Sequence, residues 1–117
     1  TNGIGSNALF YYPTEICLSP DNSFALITDT SNNQIRKIVI STVLVSILVG
    51  VPSGTTNGIG SNALFYYPTE ICLSPDNSFA LITDTSNNQI RKIVISTVLV
   101  SILVGVPSGT TNGIGSN

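Results

Sequence analysis

The side chains of this chain that could do chemistry are few: Glu15, Cys17, Asp21, Asp29, Arg36 and Lys37, each recurring 55 positions later, with no histidine anywhere. General acid and base catalysis needs two proton-transfer groups converging on one site. Here the acids fall one to a strand or turn, so they read as structural surface groups. Arg36 and Lys37 are adjacent in an acidic background and form no basic stripe, which excludes a nucleic-acid partner and leaves a solvated strand position. Asn57-Gly58-Ile59-Gly60 has the glycines of a phosphate loop, but such loops work by opening a helix, and none follows. Phe10, Tyr11 and Tyr12 could stack on bases or sugars; packing of this loop onto its own sheet is the simpler expectation. One thiol per repeat builds no disulfide framework. A bridge from Cys17 to Cys72 would need Cα atoms within about 7 Å, closer than sheets stacked at about 10 Å allow, so both thiols are expected as small buried apolar groups.

The elements that must position these residues are written twice. Residues 1–55 and 56–110 are identical, and residues 111–117 begin a third copy. Such identity is the mark of a recent duplication, a consensus repeat or a designed array. A lone 55-residue unit is marginal as an independent core, and stacking on its neighbour is the expected remedy. Charged residues make up only 9% of the chain, far below the roughly 25% of ordinary soluble domains. Each copy instead carries seven Ser, six Thr and five Asn. The most apolar stretch, Ile38 to Val51, is interrupted by Ser41, Thr42 and Ser46 and falls short of the about 20 apolar residues of a membrane helix. The chain opens on Thr1 and closes inside a repeat, so a secretion signal or anchor is expected to lie outside it.

Within a copy the periodicity is that of strands. Thr14 to Ser19 alternates, with Ile16 and Leu18 on one face and Glu15 and Cys17 on the other, and Pro20-Asp21-Asn22-Ser23 supplies a turn. Phe24 to Asp29 is the second strand. It is closed by Thr30-Ser31-Asn32-Asn33, whose Asn residues tolerate the left-handed backbone of a tight hairpin. Gln34 to Ile40 and Val43 to Val49 follow. In the last of these, Val43, Val45, Ile47 and Val49 are expected on one face and Leu44 and Leu48 on the other. Apolar residues on both faces imply a sheet covered on both sides. Gly50 onward has the Gly and Pro content of a linker. The fold class is therefore all-β: tandem four-stranded antiparallel sheets, stacked as part of a β-propeller or an open helical array, with unit boundaries at 1–55, 56–110 and 111–117.

Three segments resemble the NHL repeat family, whose units are propeller blades. Asn2-Gly3-Ile4-Gly5 through Ala8, Phe10 and Pro13 is similar to the family's D-G-x-G-x-x-A-x-F-x-x-P segment, with Asn2 where the acid is usual. Asp29-Thr30-Ser31-Asn32-Asn33-Gln34-Ile35-Arg36-Lys37-Ile38 resembles its D-x-x-N-x-x-I-R-K-I hairpin, and Ser46 to Gly50 its T-T-L-A-G ending. The resemblance spans the whole period and implies blade-forming roles for Asp29, Asn32 and Arg36, and for Asp84, Asn87 and Arg91. Asp29 and Asn32 are expected to fold back on the turn backbone, with Arg36 reaching Asp29 as an exposed pair of about 0 to 1 kcal/mol. Zinc-dependent lyases exist on such propellers, but they hold metal through imidazoles that this chain lacks.

Uniformity shapes the functional expectation. Identical loops suit a periodic partner or the next identical unit, and units whose rotation does not close a ring climb into a filament. The leading expectation is a structural, non-catalytic repeat of an extracellular fibre, with no cofactor, no membrane contact and identical repeats or chains as partners. Val43 to Val49, β-branched and free of charge, suits strand assembly. Ser53, Thr55 and Thr56, with Ser108 and Thr110, are expected sites for O-linked glycans, while no Asn sits in an N-glycosylation sequence. The rival expectation is a piece of a closed, six-bladed binding propeller whose loops at Pro20 to Ser23 and Thr30 to Gln34 meet a protein or carbohydrate.

Overall fold

A computed structural model describes residues 1–50 and 54–105. Each repeat forms one antiparallel sheet. In repeat 1 the strands are β1 (Gly3–Ile4), β2 (Pro13–Leu18), β3 (Phe24–Asp29), β4 (Gln34–Val39) and β5 (Leu44–Val49), in spatial order β1-β5-β4-β3-β2. Repeat 2 follows the same order with β6 (Gly58–Ile59), β7 (Pro68–Leu73), β8 (Phe79–Asp84), β9 (Gln89–Val94) and β10 (Leu99–Val104). The four long strands match the sequence pattern closely. The fifth was missed, because Gly3 and Ile4 lie in a stretch whose glycines mark a linker; Gly3 pairs Val45 and Ile4 pairs Leu44.

The register gives each sheet two unlike faces. Ile16, Ile27, Arg36 and Ile47 lie on one, with Leu18, Ala25, Ile38 and Val45, and this is the front face. Cys17, Leu26, Lys37 and Ser46 lie on the back face, with Thr28, Ile35 and Val49. Val49 therefore does not share a face with Val45 and Ile47 as strict alternation predicts. Ile47 pairs Arg36 and Val49 pairs Ile35, which leaves Leu48 as the extra residue of a bulge, and one extra residue reverses the side on which the strand's remainder projects. Repeat 2 has the same shift between Ile102 and Val104.

The back face of repeat 1 packs on the front face of repeat 2, and the main core lies between them. Leu26, Ile35 and Val49 from repeat 1 meet Phe65, Ile71, Ile82 and Ile93 from repeat 2, and all are buried. Each such side chain contributes about 1.5 to 3 kcal/mol over its exposed state. The sheets approach most closely where β7 lies beside β2 and β3. Elsewhere the loop between β6 and β7 enters the gap, placing Phe65 and Ala63 there with no exposure. Gly50 makes room for it. Its φ is +89°, and a Cβ there would stand 2.5 Å from the Asn33 carbonyl oxygen and 3.3 Å from the Phe65 ring.

Candidate functional site

The hairpin residues singled out by the sequence do converge, but away from water. Asp29 ends β3, Arg36 lies in β4 on the front face, and their side chains meet at 2.8 Å with 0% exposure on both. What covers them is the stretch from Thr1 to the start of β2, which folds across its own sheet. Arg36 Nη1 donates to Leu9 O at 2.9 Å, and Nη2 donates to Thr1 O at 2.8 Å and to Asn2 Oδ1 at 3.2 Å. Phe10 closes the top, with its ring centroid 4.8 Å from the guanidinium carbon. Asp29 accepts from Tyr11 N–H at 2.7 Å and from Asn32 Nδ2 at 2.8 Å. The exposed ion pair expected from the sequence is thus a buried one, and Arg36 is not a solvated strand position. Asp29 binds the crossing loop rather than the turn backbone, because the carboxylate points toward the loop that a hairpin reading leaves out.

Repeat 2 reproduces the network. Arg91 donates to Asp84 and to Leu64 O, both at 2.8 Å, and to Thr56 O at 3.0 Å and Asn57 Oδ1 at 2.8 Å. Asn87 Nδ2 donates to Asp84 Oδ2 at 2.7 Å and to Gly54 O at 2.8 Å, so it also ties down the linker between repeats. One cation, one carboxylate and neutral acceptors make a balanced buried cluster. Asn2 and Asn57, where the family pattern has an acid, keep that balance. In each cluster the guanidinium spends Nη1 and Nη2 on the fold, while Arg36 Nε and Arg91 Nε are buried without a partner. The arrangement suits locking a loop.

The other acids are solvent-facing. Asp21 organises its turn by accepting from Ser19 Oγ at 2.8 Å, Ser23 Oγ at 2.7 Å and Ser23 N–H at 3.1 Å. The Ser23 hydroxyl, then that of Ser19 and the Ser23 amide, hold its carboxyl below the ordinary Asp range. The same contacts at Asp76 bring its pKa down to about 2. No three potential metal-ligating side chains cluster among the described residues, and no described helix is long and apolar enough to cross a membrane.

The two thiols differ. Cys17 is half-buried and Cys72 exposed, so the expected buried pair is met only in part: the neighbouring sheet that shelters Cys17 against the core has no described counterpart over Cys72. Burial raises the Cys17 pKa, with a smaller contribution from Cys72. The aromatic loop also divides. Phe10 and Phe65 pack as expected, whereas Tyr11 and Tyr12 are 64% and 66% exposed and Tyr66 and Tyr67 are 49% and 40% exposed. They stand at the rim beside the hairpins, where Ser31 N–H donates to Tyr11 O and Ser86 N–H to Tyr66 O. Of the Ser and Thr residues considered for glycans, Thr55 and Thr56 are exposed; Ser53, Ser108 and Thr110 lie outside the described residues, as do residues 111–117.

The fold and the locked crossover define an all-β protein of stacked antiparallel blades, of the β-propeller type. Its sequence resembles NHL repeat proteins: it is 26% identical over 106 residues, 87% of the chain, to human NHL repeat-containing protein 2. The chain spans 14% of that relative's length. No family model matches it. Among solved structures, an auxiliary nutrient binding protein from Bacteroides ovatus aligns with a TM-score of 0.72 at 20% identity, over 87% of this chain and 25% of that one. A Bacteroides thetaiotaomicron protein provisionally named a phosphatase aligns with a TM-score of 0.68 at 19% identity, over 81% of this chain and 23% of that one. At such identities the likeness is one of fold.

Proposed function

We propose that this chain is a segment of a non-catalytic β-propeller scaffold that binds a protein or carbohydrate through its rim. The observation that carries this reading is the pair of exposed tyrosines in each repeat, beside a hairpin whose Asn32 or Asn87 is turned inward onto the buried carboxylate of Asp29 or Asp84. An aromatic ring with a free hydroxyl offers apolar area and a hydrogen-bonding tip at little entropic cost, the combination that binding surfaces favour. The buried Arg36 and Arg91 clusters support it from the other side, since they hold the rim loops rigid and leave no convergent acid and base. The likeness to a nutrient binding protein agrees with it. The fibre and the extracellular setting expected from the sequence draw on its uniformity and its Ser and Thr content, with exposed Thr55 and Thr56 available for glycans; the rim reading has the geometric support.

Titration of the chain against a panel of oligosaccharides and peptides, by calorimetry, tests the proposal. Replacing Tyr11, Tyr12, Tyr66 and Tyr67 together by Ala should abolish any binding detected while leaving the far-UV spectrum and melting temperature unchanged. Binding that survives the four substitutions would overturn it.

A further inference from the structure

Because the two repeats are identical in sequence, any difference between equivalent residues reports only what each repeat has beside it. On the front face, Ile16 is 59% exposed in repeat 1 and its equivalent Ile71 is 6% exposed in repeat 2. On the back face the order reverses: Val49 is 0% exposed and Val104 is 39% exposed. Thr30 is buried with no exposure while Thr85 is exposed. One front face and one back face are therefore occupied, by each other, and one of each is uncovered among the described residues.

The uncovered front face holds a largely apolar groove of about 370 Å³ lined by Phe10, Pro13, Ile16, Ile27 and Ile38, with Thr14 and Glu15 also on its wall. Its polar edge is equally matched. Inside the chain, Thr28 Oγ1 donates to Thr69 O at 3.1 Å and Thr30 Oγ1 donates to Pro68 O at 2.7 Å. Thr14 Oγ1 donates to Thr69 O at 2.7 Å, and Tyr67 N–H donates to Asn33 Oδ1 at 2.7 Å. In repeat 2, Thr69, Thr83 and Thr85 bond to one another as Thr14, Thr28 and Thr30 do in repeat 1, but without carbonyl partners among the described residues; the equivalents of Pro68 O and Thr69 O are the carbonyls of Pro13 and Thr14 on β2. The contact is directional: front meets back, so it is heterologous and can be repeated without limit or until a ring closes.

We infer that these two uncovered faces are the halves of a head-to-tail docking site for a second copy of this chain. The interface between repeats 1 and 2 is the template for it, with the same apolar side chains and the same threonine ladder. It uses the tyrosine rim only through the backbone N–H of Tyr67, not through the tyrosine rings, and so stands or falls apart from the rim's ligand.

The test uses two blocked chains. Ile16→Lys places a charge on the uncovered front face, and Val104→Lys does so on the uncovered back face. Both positions face solvent in the single chain, so both variants keep its fold, which circular dichroism checks. Sedimentation velocity of the unsubstituted chain should show association in steps of two repeats as concentration rises. Each variant alone should associate at least tenfold more weakly and remain monomeric where the unsubstituted chain assembles. An equimolar mixture should form one-to-one dimers and nothing larger, because the two intact faces are complementary and both ends are then blocked. Leu44→Lys is the control: Leu44 and its equivalent Leu99 are 42% and 43% exposed, so neither repeat buries this position and assembly should be unchanged. A monomeric unsubstituted chain, a mixture that stays monomeric, or loss of assembly in the Leu44 variant would each overturn the inference.

Discussion

Arg91 and Asp84 meet at 2.8 Å with neither side chain reaching solvent, and Arg36 and Asp29 keep that distance and burial although the front face of repeat 1 is uncovered. The burial is thus a property of one repeat, supplied by its own crossing loop. A buried pair costs several kcal/mol per ion to desolvate, so it is tolerated only when charge and hydrogen bonds are balanced. Removing one partner is the costly change. Asp84→Ala should destabilise the chain by about 3 to 5 kcal/mol in denaturant unfolding, the range for an unpaired buried charge. Replacing both, as Asp84→Leu with Arg91→Met, should cost less than the single change. A loss under about 1 kcal/mol for Asp84→Ala would mark the pair as one of ordinary surface strength.

The carboxyl of Asp76 sits in a nest of Ser78 and Ser74 donors that brings its pKa to about 2, from an ordinary 3.8. The folded value lies below the unfolded one. Its contribution is therefore fully present above the ordinary carboxylate range and is lost as pH falls through about 2. Carbon-13 titration of the side-chain carboxyl should give a midpoint near 2. Ser78→Ala, which removes the largest contributor, should move the midpoint upward. A midpoint for Asp76 that does not respond to this change would refute the turn geometry.

Strand positions were legible in the sequence because the long strands are short runs of β-branched and other apolar residues, alternating in Thr14 to Ser19, set between turn signals of Pro, Asn, Gly, Ser and Thr. The burial of Asp29 and Arg36 was not. Hairpin spacing places the two side chains together, but whether water reaches them depends on where residues 5–12 run, and that path is fixed by contacts such as Arg36 with Leu9 O that have no periodic signature. The bulge at Leu48 was hidden for a related reason: Ser46-Ile47-Leu48-Val49 reads equally well in either register until Ile35 and Arg36 supply the partners. The exposure of Tyr11 beside a partly buried Phe10 likewise follows from the loop's path, since both residues are aromatic and adjacent.

Val43 has φ of +55°, and Val98 +56°, a left-handed conformation that crowds a β-branched side chain. The turn needs it, because Val43 N–H donates to Val39 O and Val43 O accepts from Gly5 N–H. Asn adopts this backbone far more readily. Val43→Asn should stabilise the chain by about 1 kcal/mol, within the penalty for left-handed geometry. Val98 differs in packing against the core, so Val98→Asn should gain nothing. Equal gains at both positions in thermal unfolding would show that the backbone, and not the packing, sets the outcome.

Cys17 and Cys72 share their local sequence, so their reactivities compare environments directly. Cys17 packs against the core between repeats and burial raises its pKa, while Cys72 is exposed. The thiolate is the reactive form, and both access and ionisation penalise Cys17. At pH 8 a maleimide should therefore label Cys72 several-fold faster than Cys17, with peptide mapping to separate the two products. The difference is a direct measure of what the second repeat does for the first. If a second copy docks on repeat 2, Cys72 takes the position that Cys17 now holds, and its labelling should slow as protein concentration rises. Equal and concentration-independent rates would mean that the neighbouring sheet shelters neither thiol.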